Sequence, residues 1–129
     1  MVSTFGATTA TTVGTAITPG SAGAMGSYAQ IGAPTKKYFY AQSAVLINDG
    51  SQTAVRYWVD LAKGDASNKY FITRGQMHVN IGTGEVAGFH ANGTGDGEME
   101  IQNGDLLYMR AACDGTPDSN FSGLVYLVG

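Results

Sequence analysis

Ionisable side chains are scarce in this chain: Asp, Glu, Lys and Arg make up 13% of its 129 residues, about half the roughly 25% usual for a globular domain. Between Met1 and Thr35 there is not one Asp, Glu, Lys, Arg or His. So little charge implies that part of the surface meets other protein rather than water, most simply copies of the same chain. The net charge is −3 and the seven Lys and Arg are scattered, Lys36-Lys37 being the one adjacent pair, so no basic face for a phosphate backbone is expected and nucleic acid is excluded as a partner. The single cysteine, Cys113, cannot close an intrachain disulfide and reads as a small buried hydrophobe. No run of about 18 apolar residues predicts a membrane-spanning helix. The opening Met-Val-Ser-Thr-Phe has neither a basic region nor a continuous apolar one, so no secretory leader is expected.

Chemistry-bearing motifs are equally sparse. Two histidines, His78 and His90, and one thiol do not supply the three or four closely spaced ligands of a zinc site. Asp96, Glu98 and Glu100 alternate within a glycine-flanked stretch, but they match no calcium-loop spacing and read better as a solvated acidic edge that discourages strand pairing. A glycosidase pair drawn from the same carboxylates would need a substrate cleft. Nucleophile elbow, phosphate loop and dinucleotide fingerprint are all lacking. The expectation is a protein that is not an enzyme and holds no cofactor or metal.

What the chain does have is glycine, 19 in all, about twice the usual share, and a series of short apolar alternations. The stretch from Tyr38 to Leu61 sets two β-branched and aromatic runs on either side of Asn48-Asp49-Gly50-Ser51, a cluster that tolerates the positive φ of a tight reversal and predicts a β-hairpin. In its second run Val55, Tyr57, Val59 and Leu61 alternate with Arg56, Trp58 and Asp60. The first set is assigned to the core, and Trp58, among charged neighbours, to a contact surface. A loop is expected at Ala62–Asn68, with Gly64, Asp65 and Ser67, and further strands at Lys69–Thr73 (ending at Arg74-Gly75), Gln76–Ile81, around Glu85–His90, Glu98–Ile101, Leu106–Ala112 and Phe121–Val128, with a turn at Gln102–Asp105 and a polar loop at Asp114–Asn120. In the last strand Leu124, Tyr126 and Val128 oppose Phe121, Val125 and Leu127; both faces are apolar, which an oligomer satisfies most easily. Seven or eight strands without a helical stretch predict an all-β fold, an antiparallel β-sandwich of jelly-roll or immunoglobulin-like type, over residues 36–129.

Residues 1–35 read differently. Thr, Ala, Gly and Ser dominate, Pro19 and Pro34 punctuate, and Phe5, Val13, Ile17, Met25, Tyr28 and Ile31 stand isolated. Neither helical nor strand periodicity survives. The expectation is an extended N-terminal arm whose isolated apolar residues dock on a partner, since a neutral backbone adds to a foreign sheet edge without desolvating charge. A flexible linker is the plainer alternative.

The order Ala44-Val-Leu-Ile-Asn48-Asp-Gly50, Thr53-Ala-Val-Arg-Tyr-Trp-Val-Asp-Leu61, Ile101-Gln-Asn-Gly104-Asp105-Leu-Leu-Tyr-Met-Arg and Gly123-Leu-Val-Tyr-Leu-Val resembles small β-sandwich virion proteins of tailed bacteriophages. The resemblance covers roughly residues 36–129 and is one of pattern. It implies a capsid decoration or cement protein, often a homotrimer. Such a protein is made in the host cytoplasm and carried on the virion surface, where an N-terminal extension clamps the major capsid protein. A tail or fibre-associated relative, whose Tyr and Trp face recognises host glycan, is the alternative it leaves open; Trp58 and Tyr126 are assigned to an oligomer or partner face.

Overall fold

The computed structural model describes residues 2–6, 15–38, 40–47, 56–78, 85–92, 101–116 and 122–128. Every element among them is a strand: β1 Val2–Phe5, β2 Thr15–Ala16, β3 Ala29–Gly32, β4 Tyr40–Ile47, β5 Arg56–Gly64, β6 Lys69–His78, β7 Glu85–Asn92, β8 Leu106–Cys113 and β9 Ser122–Val128. They form two antiparallel sheets. One has the order β1-β9-β4-β7, with β2 also on β9; the other has the order β3-β8-β5-β6. Their pairings nest: β5 with β6, β4 with β7, β3 with β8 and β1 with β9. The chain is thus laid out like one long hairpin whose tip is the β5–β6 connection.

That tip is built by local chemistry. Gly64 holds φ at +141°, and a side chain there would strike the Asn68 carbonyl. The Asp65 carboxylate accepts the amide protons of Ser67 and Asn68 at 2.8 and 2.7 Å, closing the reversal as an Asx turn. The Gln102–Asp105 turn forms as expected, with Gly104 at φ +98° and Asp105 accepting the Gln102 amide at 2.8 Å.

Both sheets feed one hydrophobic cluster. Tyr57, Val59 and Leu61 of β5, Leu107, Met109 and Ala111 of β8, and Val125 and Leu127 of β9 are fully buried in it. The period-two pattern of β5 therefore sorts as the sequence predicts, its apolar set inward and Arg56, Trp58 and Asp60 on the other face. Burying each such side chain contributes roughly 1.5–3 kcal/mol.

Three expectations are corrected. The stretch 38–61 is not a hairpin: β4 pairs with β7 and β9 while β5 pairs with β6 and β8, so the chain passes between sheets there. Turn residues signal a reversal but do not choose which strand receives the hydrogen bonds, and residues 48–55 lie outside the described residues. The expected break at Arg74-Gly75 is absent, and β6 runs through it. Finally, the N-terminal segment is not a free arm over its described residues. β1 and β2 pair with β9, β3 pairs with β8, and Gly20 bridges Ala112. The neutral backbone does add to a sheet edge, but that edge belongs to the same chain and not, as expected, to a partner.

Candidate functional site

Among the described residues, charge gathers on the outward face of the four-stranded sheet. Register sets Asp60 of β5 directly between Arg74 of β6 and Arg110 of β8. Arg74 donates from Nε to Asp60 Oδ1 at 2.6 Å and from Nη2 to Oδ2 at 3.1 Å, and Arg110 donates from Nε to Oδ2 at 3.0 Å. The carboxylate is completely buried, whereas the Arg74 and Arg110 side chains keep 50% and 31% of their exposure. Burial by itself pushes the Asp60 carboxyl up, but the two guanidiniums outweigh it and hold the group below its ordinary range. One anion between two cations leaves this row with a net positive charge.

Aromatic rings extend it. The Arg110 guanidinium lies 4.6 Å from the Tyr28 ring centroid, Lys69 lies 4.6 Å from that of Tyr108, and the two tyrosines meet edge to face at 6.2 Å. On the next row along β5, Trp58 aligns with Gln76 and Ala112, and Arg56 stands 5.9 Å from its ring. The Nε of Arg56 is buried and has no hydrogen-bond partner among the described residues.

Beside this row lies an open cavity of about 270 Å³ lined by Gly23, Met25, Trp58, Arg74 and Ala112. Its far wall comes from the strap between β2 and β3. Gly20 and Gly26 both donate their amide protons to the Ala111 carbonyl, at 3.0 and 2.9 Å, and Cys113 donates to Gly20 at 2.9 Å. An added Cβ at Gly20 would collide with the Ala24 carbonyl, so the strap closes this tightly only with glycine there.

No family model matches the chain, and no curated protein does. The site is therefore read from its geometry alone.

Trp58, expected at a contact surface, is half-buried in the cavity wall. Tyr126 occupies a β9 position aligned with Thr4 and Gln42, and its side chain lies outside the described residues. Among the residues expected to meet a partner through the arm, Ile17 and Ile31 are buried in the chain's own core, and Phe5 packs against that core and over Gly32. Met25 and Tyr28 lie on the arginine face, and Val13 is outside the described residues. The expectation that the cations are scattered is also corrected. All three arginines, with Lys69, come to one face: antiparallel register sets Arg74 and Arg110, 14 and 50 positions from Asp60 in sequence, on either side of it. The alternation of Arg56, Trp58 and Asp60 signalled the face; the opposing Arg74 and Arg110 had no local signal. Among the described residues no group of His, Cys, Asp and Glu is arranged to hold a metal, and no helix is long and apolar enough to cross a membrane; the latter says nothing of β-barrels. Asp96, Glu98 and Glu100 lie outside the described residues.

Proposed function

We propose that the protein is a structural virion component, a jelly-roll β-sandwich that assembles as a homotrimer and decorates the assembled phage head. The nested strand pairing supports the jelly-roll reading, because a long hairpin rolled over itself gives that order. The observation that carries self-association is one register set of the five-stranded sheet, the set that includes the partly exposed Ser122 and Leu124 of β9. Positions 40, 42, 44 and 46 of β4 align with 128, 126, 124 and 122 of β9 and with 92, 90, 88 and 86 of β7, and positions 2 and 4 of β1 align with 128 and 126. This set alternates with buried Val125 and Leu127, and none of its positions holds Asp, Glu, Lys or Arg. A sheet face without charge favours burial against its own copies. By binding only the assembled lattice, a trimer placed on the shell stabilises that lattice by mass action.

Light scattering coupled to size exclusion tests this. The wild-type chain is expected to run as a trimer and Leu124→Lys, which sets a charge on the half-exposed centre of β9, as a monomer of unchanged fold. A monomeric wild type at all accessible concentrations refutes the reading.

The Trp58 cavity favours a second reading, a tail or fibre-associated module that recognises host glycan. An indole wall beside hydrogen-bonding guanidinium suits a sugar ring, which presents C–H groups on one face and polar groups at its rim. Binding on a glycan array that is lost in Trp58→Ala supports it; an array without signal removes it.

A further inference from the structure

We infer that the Trp58 cavity selects a sugar carrying a carboxylate, such as a uronic or sialic-type residue; this rests on the glycan reading and sharpens it. The argument begins with charge. The row Arg74–Asp60–Arg110 holds one buried carboxylate against two guanidiniums, so one positive charge is left over, in a chain whose net charge is −3. Arg74 uses its Nε and one Nη2 proton on Asp60. A guanidinium has five N–H donors in a fixed fork, so its remaining protons point away from Asp60, and the side chain is half exposed where it lines the cavity. Asp60 thus acts as a positioning residue, holding Arg74 in place with its outer edge available.

Next to that edge stands the indole of Trp58, with Arg56 at 5.9 Å on the same strand face and its Nε buried without a partner among the described residues. An aromatic plane in one wall with the half-exposed Arg74 guanidinium beside it suits a ligand with an apolar face and an anionic substituent, and Arg56 behind the indole adds to the positive field. A simple anion has no use for the indole. The volume, about 270 Å³, falls just below the roughly 300–1,000 Å³ of drug-sized sites, which leaves room for one ring rather than an extended ligand. Single-stranded nucleic acid also joins cationic and aromatic contacts, but it uses successive aromatic platforms along a groove, and this cavity has a single indole.

Trp58 is the only tryptophan, so the intrinsic fluorescence of the full chain reports on the cavity. Titrations with glucuronic acid, N-acetylneuraminic acid, glucose, sodium acetate and a short oligothymidylate make the test. The expected result is a saturable change with the two acidic sugars and affinity for glucose lower by about tenfold or more, with acetate inactive. Arg74→Lys, which keeps a cation beside Asp60 but removes the fork, is expected to weaken the acidic sugars by about tenfold while leaving glucose unchanged. Thermal unfolding checks that this variant folds. If glucose matches the acids, the carboxylate inference is overturned and the glycan reading stands. If no sugar produces a change, both fall. If acetate reproduces the acids, or the oligonucleotide binds more tightly than they do, the site belongs to simple anions or to nucleic acid and the inference is overturned.

Discussion

Asp60 is the residue on which the charged face depends. Its carboxylate is completely buried and accepts three hydrogen bonds from Arg74 and Arg110. Removing it leaves two guanidiniums facing each other across β5. Asp60→Ala is expected to cost about 3 kcal/mol in urea unfolding, the lower end for a broken buried pair because both arginines can turn toward water. Since the folded state holds this carboxyl below its ordinary value of 3.8, its contribution is present above that pH and is lost as pH falls through the lower folded value. The stability gap between wild type and Asp60→Asn should therefore be widest near neutral pH and narrow below about pH 4. A gap that stays constant into acid would show that the ion pairs are not its source. Cys113 illustrates the opposite balance. Burial pushes its thiol up, and Sγ donates a hydrogen bond to the Gly115 carbonyl at 3.1 Å that only the protonated form can make, so little thiolate forms. In native protein it should react with a disulfide reagent only at the rate of unfolding, and far faster in denaturant.

At the scale of elements, the N-terminal strands are held by close fit as well as by their backbone hydrogen bonds. Phe5 of β1 rests where a side chain on Gly32 of β3 would stand; an added Cβ would overlap the Phe5 side chain at three of its carbons. This close approach ties an edge strand of one sheet to an edge strand of the other. Gly32→Ala is expected to cost roughly 1–3 kcal/mol by overpacking. In a Phe5→Ala background most of that cost should vanish, because the two positions share one volume. Equal costs in both backgrounds would show that the strain lies in the backbone of β3. The β5–β6 hairpin is the contrasting case. Gly64 and the Asx turn at Asp65 make it locally, which is why its reversal was legible in the Gly64-Asp65 and Ser67 cluster. The alternation predicts an end at Leu61, whereas β5 continues to Gly64, because a bulge between Leu61 and Ala62 interrupts the period of two.

At the scale of the whole molecule, the described residues of the N-terminal segment, 2–6 and 15–35, act as part of the fold. Ile17 and Ile31 lie in the common core, Pro34 is buried, and the strap from Gly20 to Gly26 is hydrogen-bonded to β8. A chain beginning at residue 29 loses Phe5 and Ile17 from the core together with the strap. At roughly 1.5–3 kcal/mol for each large apolar side chain no longer buried, thermal unfolding should occur at markedly lower temperature than in the full chain. An unchanged midpoint would favour a detachable arm. For assembly, the proposed trimer face carries no Asp, Glu, Lys or Arg. The trimer should then resist high salt, which screens charge pairs but not apolar burial, and dissociation by salt in light scattering would contradict the proposed interface.

The sequence by itself determined what depends on neighbours along the chain. The inward set Tyr57, Val59 and Leu61 follows from alternation, the turns at Asp65 and Gln102–Asp105 from residues that tolerate or cap a reversal, and the all-β class from strands without helical periodicity. Only the tertiary structure decided which strands pair, that β4 and β5 part into different sheets, that the uncharged N-terminal residues complete the chain's own sheet edges, and that Arg74 and Arg110 flank Asp60. Those outcomes are set by hydrogen-bond partners and packing volumes distant in sequence, and no local pattern of side chains encodes the register that brings them together.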